Sequence, residues 1–236
     1  MAMLSPMVRS LVALVLGLVA LAAPVRALAA AAAPPTIAIL YFDYSGKDDE
    51  MALLRKGLAQ MLISDLAGSD AVRIVERDRL QEILAELKLA ESAKIDPASA
   101  AKVGKLLGAR YMVLGGYFDL GGTLRIDARV VEVETGKIVN SASVNGKVDE
   151  FLDLEQKLSG KIGEILATQL KLPEKKHAAR VKPPSHLSAR TAVLYSRALA
   201  EKDRGDKAHA RETLAAVVKE QSDFELAKVD LDKLMQ

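Results

Sequence analysis

Four carboxylates crowd one short stretch of the chain, Asp43, Asp48, Asp49 and Glu50, and such a cluster is the raw material of metal binding or acid–base catalysis. Its spacing argues against both. An oxygen-rich cation loop needs carboxylates at set alternating offsets around a glycine turn, and this run has no such pattern. A solvated, helix-capping acidic edge is the reading it supports. Asp43 stands apart because it ends a strand-like run, where open α/β sheets place their ligands; Asp43 and Arg77 are the candidate ligand-binding residues. His177, His186 and His209 come without cysteine and without an HExxH pair, so no zinc site follows. Ser45, Ser64 and Ser69 lack a GxSxG elbow, and without a histidine in the same region they cannot complete a Ser-His-Asp arrangement. Gly115-Gly116 and Gly121-Gly122 precede no helix with phosphate-loop spacing; they predict turns and a strand bulge. The expectation is a protein with no catalytic residue, no metal ligand and no cofactor, hence not an enzyme.

The elements that carry these residues follow an export signal. Arg9 supplies a positive start, Leu11 to Leu21 an apolar run, and Ala27, Leu28 and Ala29 a small-x-small cleavage site. Pro24 and Arg26 interrupt the run before the roughly 20 apolar residues that a membrane span needs. Residues 1–29 are therefore expected to be removed, with no transmembrane segment in the mature chain and a periplasmic location, peripheral to the outer membrane. Taking Arg9 and Arg26 from the 33 basic groups leaves as many as the 31 acidic ones. Such a balance gives no reason to expect nucleic acid as a partner. The chain holds no cysteine, which removes disulfides, thiolate chemistry and a lipid-attachment cysteine from consideration.

A flexible leader over 30–35 gives way to a buried strand over Thr36 to Asp43. A helix with Met51, Leu54, Leu58, Met61 and Leu62 on one face follows, with Ser45 and Asp48 as caps and an end near Gly68. Val72 to Glu76 predicts a second strand, and Asp78 the cap of a helix whose inner face is Leu80, Ile83, Leu84 and Leu87. Asp96-Pro97 opens a further helix, a proline being tolerated in the first turn, and Gly108 closes it. From Arg110 to Lys147 the period becomes two: Leu124, Ile126, Ala128 and Val130 alternate with polar residues, and Gly121-Gly122 and Thr135-Gly136 mark hairpin turns. A long amphipathic helix with Phe151, Leu154, Leu158, Ile162, Ile165 and Leu166 stops before Pro173. The order predicts an α/β fold, a mixed sheet with layered helices over 36–171, then a short all-α tail. Residues 172–188, with three prolines and several basic groups, read as a linker. Residues 189–236 read as three short helices broken at Gly205-Asp206 and Ser222-Asp223.

Five stretches carry a resemblance. They are Ile39 to Asp43, Gly57 to Ala59, Val75 to Leu80 (VERDRL), Gly104 to Gly115 (GKLLGARYMVLG) and Arg129 to Gly136 (RVVEVETG). In that order they resemble the CsgG family of curli production assembly and transport components, related to TolB-like amino-terminal domains. The resemblance implies an exported envelope protein that acts as an assembly, adaptor or accessory component, with envelope or outer-membrane proteins as partners and a homo-oligomer as a further expectation. The curli exporter builds its barrel from two long inserted hairpins, whereas the turns here are a few residues long, so this chain is not expected to be a pore. The resemblance also implies that Glu76 to Arg79 is a structural anchor or contact surface. The rival reading is a periplasmic small-molecule sensor using a crevice beyond Asp43 and Arg77.

The tail resembles a tetratricopeptide unit, with Gly205-Asp206 at its turn, small Ala198 and Ala210 at the helix crossing, and Leu214 and Val217 in the second helix. Arg197 and Glu201 depart from that pattern. Too small to bury its own faces, the unit needs a cover for its apolar stripe. That cover comes either from the α/β domain or from a partner, for which Leu194, Ala198, Leu214 and Val217 are the candidate binding residues.

Overall fold

Ten-residue strands form wherever apolar residues alternate, and the computed structural model, which describes residues 33–68, 72–89, 95–171 and 181–236, shows three of them in succession. These are β4 (Tyr111–Leu120), β5 (Thr123–Glu132) and β6 (Ile138–Lys147), paired antiparallel. Gly121 and Gly122 both have positive φ, +57° and +78°, the left-handed backbone that a two-residue hairpin turn requires. On the other side of β4 lie β1 (Thr36–Ile39) and β2 (Asp43–Tyr44), both parallel to it, and β3 (Arg73–Ile74) is parallel to β1. The sheet order is β3-β1-β4-β5-β6, a mixed sheet as expected. The single strand predicted over Thr36 to Asp43 is thus two strands, and the strand predicted over Val72 to Glu76 keeps only two ladder residues. Each β1–β3 or β2–β4 pairing is short because helices begin almost at once.

The expected bulge at Gly115-Gly116 is not there. Both glycines sit in regular register, opposite Ala128 and Asp127, and the irregularity falls between Val130 and Val131. Gly115 has a different reason: a Cβ there would lie 2.2 Å from the Asp127 carbonyl oxygen and 2.5 Å from the Phe42 ring. Close approach, not backbone conformation, selects the residue.

The helices are α1 (Asp49–Ala52), α2 (Leu54–Leu66), α3 (Arg77–Glu86), α4 (Pro97–Leu106), α5 (Phe151–Leu170), α6 (Ala189–Asp203), α7 (Lys207–Glu220) and α8 (Glu225–Met235). Asp48 caps α1, its carboxylate accepting from the Glu50 and Met51 N–H groups, and Asp96 caps α4 in the same way with Pro97 in the first turn. Asp78 is not the cap of α3. Glu76 holds that position without a side-chain bond, while Asp78 turns outward to Arg77 and Lys202 at 2.8 and 2.7 Å.

Helix α2 organises the body. Leu54, Leu58, Ala59 and Leu62 are fully buried, and Met61, Ile63, Ser64 and Leu66 nearly so, so almost its whole circumference is covered, as only an internal helix allows. It packs against β1, α5 and α6. At the α6 contact Gly57 is indispensable: a Cβ would fall 2.0 Å from Ser196 Oγ. Ser196 accepts from the Gly57 N–H at 2.8 Å and donates to the Leu54 carbonyl at 3.2 Å. The first turn of α2 is thereby bonded, backbone to side chain, to another helix.

Residues 34–236 form one compact unit. Within it Leu187, Ala192, Tyr195 and Ala198 are as buried as the sheet core. Ser185 donates both N–H and Oγ to Asp223 Oδ2 at 2.8 and 2.7 Å, so the stretch from Val181 to Ser188 is fastened down. The export-signal reading of residues 1–29 and the first part of the linker, 172–180, lie outside the described residues. Of the two covers considered for the helical stripe, the structure uses the chain itself: α6 packs on α2 of the α/β layer, and α7 packs on α6 and α8. A chain ending at Lys182 would leave the Gly57 face of α2 wet. It is expected to lose the sharp cooperative thermal transition of the full chain; a truncated form melting as sharply, at the same temperature, would show that α6 to α8 add nothing to the core.

Candidate functional site

Asp43 and Arg77, paired by sequence reasoning, are held in different places. Asp43 sits on β2, 3.7 Å from Arg55 Nη2, at the mouth of a cavity of about 640 Å³. The cavity floor is β4 from Leu114 to Phe118, where the glycines at 115 and 116 carry no side chain; Ile95 to Pro97 form one wall and Asp127 and Arg129 of β5 the other. Its carboxylates already have structural duties: Asp96 caps α4, and Asp127 is gripped by Arg125 at 2.9 Å, which holds its pKa below the usual carboxylate range.

Arg77 is 2 % exposed and lies among charges. Its Nη1 donates to both oxygens of Asp203 at 2.9 Å and to the Tyr41 hydroxyl at 3.3 Å, and its Nη2 to Asp78 at 2.8 Å. Lys56 Nζ reaches the same Asp203 at 2.8 Å, and Tyr41 donates onward to Gln81 at 2.7 Å. Burial works against the guanidinium charge, but Tyr41 and Asp203 outweigh it and hold Arg77 above its ordinary pKa. Burial in turn pushes the Tyr41 phenol well above its usual range. A cation this occupied is an anchor joining the β1–β2 link, α3 and α6.

The four candidate partner residues lie on α6 and α7. Ala198, Leu214 and Val217 are at most 1 % exposed and Leu194 is half-buried against the core, so the folded chain offers a partner little of this stripe.

Sequence reasoning missed two carboxyls. Asp65 of α2 and Glu155 of α5 hydrogen-bond to each other inside the body. Glu155 is 1 % exposed, and its Oε1 has no partner among the described residues. Burial lifts the Glu155 carboxyl well above its ordinary range and the neighbouring Asp65 adds to that; burial also lifts Asp65, to about 6. Two carboxyls so placed share a proton, like charges in close contact being unable to ionise together. A cavity of about 20 Å³, the size of one water, lies against them beneath Val181 to Pro184. The signal was present: Glu155 falls among Phe151, Leu154, Leu158 and Ile162, and Asp65 among Leu58, Met61 and Leu62, each at helical spacing on an apolar stripe.

The pair gives the chain a definite pH dependence. Unfolded carboxyls titrate near about 4, so above that pH the folded state holds protons that the unfolded state has released. Stability is then full below the unfolded pKa and falls as pH rises through about 6 and beyond, by at most about 1.4 kcal/mol per pH unit for each retained proton. Glu155→Gln, which keeps a donor to Asp65 and has no proton to lose, is expected to flatten this fall in urea denaturation series; identical slopes in the two proteins would refute the shared proton.

Comparison with known proteins gives one family match: residues 35–125 match the family of the curli production assembly/transport component CsgG. No curated protein matches the chain. Among solved structures, the LpoB C-terminal domain from Salmonella enterica is 16% identical, with a TM-score of 0.41 over 49% of this chain and 84% of that one. The lipoprotein GNA1162 from Neisseria meningitidis is 15% identical, with a TM-score of 0.41 over 58% and 95% of the two chains. A PelC dodecamer from Paraburkholderia phytofirmans is 15% identical, with a TM-score of 0.33 over 58% and 89%. The matched segment runs from the residue before β1 into β5 and contains Asp43, Asp65 and Arg77, so these residues lie in the part of the chain that is similar to the CsgG family.

Proposed function

We propose that this chain is an exported envelope component that assembles or regulates other envelope proteins by binding them, without catalysing a reaction and without forming a pore. The observation that carries the reading is the family match over residues 35–125, to a component of curli production assembly and transport. The way that segment is folded supports the rest. Strands β4 and β5 join through two residues, Gly121 and Gly122, and their apolar residues other than Phe118 and Leu120 are spent on the domain's own core. A membrane-crossing hairpin would need about 9–11 further residues in each direction. The periplasm is the location this reading requires, with residues 1–29 acting as the cleavable signal. Since the tetratricopeptide-like helices turn their stripe inward, the partner surface belongs on the exposed part of the α/β layer.

A second reading has one observation in its favour. The cavity beside Asp43, about 640 Å³, falls in the size range of small-molecule sites, and sensing there would use Asp43, Asp127 and Arg129; Arg77, engaged elsewhere, has no part in it.

Cross-linking in the periplasm followed by affinity capture and mass spectrometry is expected to recover envelope proteins with the full chain. Recovery of none above an unrelated exported control, together with calorimetric binding of a metabolite that Asp43→Ala abolishes, would favour the sensor instead.

Added to planar bilayers, the purified protein is expected to leave conductance at baseline, and reproducible single-channel steps would sink the argument from short hairpins.

A further inference from the structure

Strand β6 closes the sheet. It is hydrogen-bonded to β5 on one side and to no described strand on the other. Natural edge strands of this length are usually blunted by proline, charge or a covering element. From Ile138 to Gly146 this one reads IVNSASVNG, with neither proline nor charge. The ladder fixes which backbone groups point outward. Val148 N–H donates to the Gly122 carbonyl at 3.0 Å, so Thr123 and Lys147 face each other without exchanging bonds. By the antiparallel alternation, the N–H and C=O groups of Asn145, Ser143 and Ser141 then point away from β5. Two side chains occupy two of these groups: Lys161 Nζ donates to the Ser143 carbonyl at 2.7 Å, and Asn140 Oδ1 accepts from the Ser141 N–H at 2.8 Å. Both bonds are exposed and exchangeable.

We propose that this edge pairs with the same edge of a second copy, β6 against β6 and antiparallel about Ser143, merging two sheets across a two-fold axis. The register is self-complementary. Ser143 meets its own copy, Ser141 meets Asn145 of the second copy, and Lys147 falls opposite Val139, so no like charges oppose. On the inner face the same register sets Ala142 against Val144, both buried side chains, and continues the apolar row.

Helix α5 favours a second copy over an extended peptide. It packs on β6 and, less, on β5, so pairing at the strand spacing of about 4.8 Å brings it side by side with its copy, where helix axes usually lie about 8–10 Å apart. A small residue is needed at that approach. Gly160 is exposed in the middle of α5, and a Cβ there would meet nothing within 4 Å; nothing among the described residues calls for a glycine that weakens the helix. It is the neighbour of Lys161, which marks the level of Ser143. About the same axis, Lys157 of one copy comes beside Glu164 of the other, both exposed. A bound peptide would give neither Gly160 nor this charge match a role, and isologous two-fold pairing is the commonest form of soluble oligomer.

Sedimentation equilibrium of the exported chain over a concentration series tests this. The wild type is expected to pass from monomer to dimer. Ser143→Pro removes an N–H that β5 does not use and one exposed bond from its hydroxyl to Asp127, and Gly160→Arg enters open space, so both should stay folded by circular dichroism while raising the dimer dissociation constant by about tenfold or more. Lys161→Met, which frees the Ser143 carbonyl, should lower it. If Ser143→Pro does not fold, Gly160→Arg still decides. A wild type monomeric at every concentration, or a dimer indifferent to Gly160→Arg, would overturn the proposal. So would a dimer kept by folded Ser143→Pro, which would place the contact on helices alone.

Discussion

The guanidinium of Arg77 is buried to 2 % exposure, and a buried charge is tolerated only when it is paired and hydrogen-bonded. Its main counter-charge, Asp203, is the last residue of α6, far along the chain. The α/β layer therefore contains a cation whose partner belongs to the helical tail. Removing one member of such a pair typically costs about 3–5 kcal/mol, because the other is left buried and uncompensated. The tail cannot lift away without incurring that cost. Lys56 on the same carboxylate and the Asp78–Lys202 pair at the rim add less, being closer to water.

The same junction is fixed a second time, by shape. Gly57 lets α6 approach α2 until Ser196 can serve the backbone of the first helical turn. The two devices act at different points on α6, Ser196 near its middle and Asp203 at its end, and together they set both its distance and its rotation. With the helix so placed, Tyr195 donates to the buried Asp230 of α8 at 2.6 Å and its ring meets Phe224 edge-on. The inward stripe of the tail follows from where α6 is held.

Much of the fold could be read from the chain because it rests on local signals. Period two marked β4 to β6, Asp96-Pro97 and Gly108 marked the ends of α4, and the breaks at Gly205 and Ser222 separated α6, α7 and α8. Partners distant in sequence could not be read this way. Nothing local says that Arg77 will find Asp203, so the turn VERDRL was legible only through its resemblance. Asp43 was expected at the C-terminal end of the first strand, whereas it opens the two-residue β2, and the sheet's geometry, which no spacing encodes, carries it to a cavity away from Arg77. The fate of the tail's stripe depended likewise on a docking decided by Gly57 and Ser196, small residues that look unremarkable in a helix pattern.

Departures from pattern carried more information than the patterns. An apolar stripe says only that a helix face is buried, and many sequences satisfy it. Glu155 on such a stripe says more, since a carboxyl can stay there only if it keeps its proton and finds a partner, and Asp65 is that partner. Gly160 departs in the opposite sense, an exposed position where almost any residue would serve the helix better. Both exceptions lie on α5. Glu155 is answered inside the chain, by a carboxyl on α2. Gly160 has no neighbour within 4 Å of where a side chain would start, so whatever fixes its identity acts from outside the helix surface, beside the one long sheet edge among the described strands.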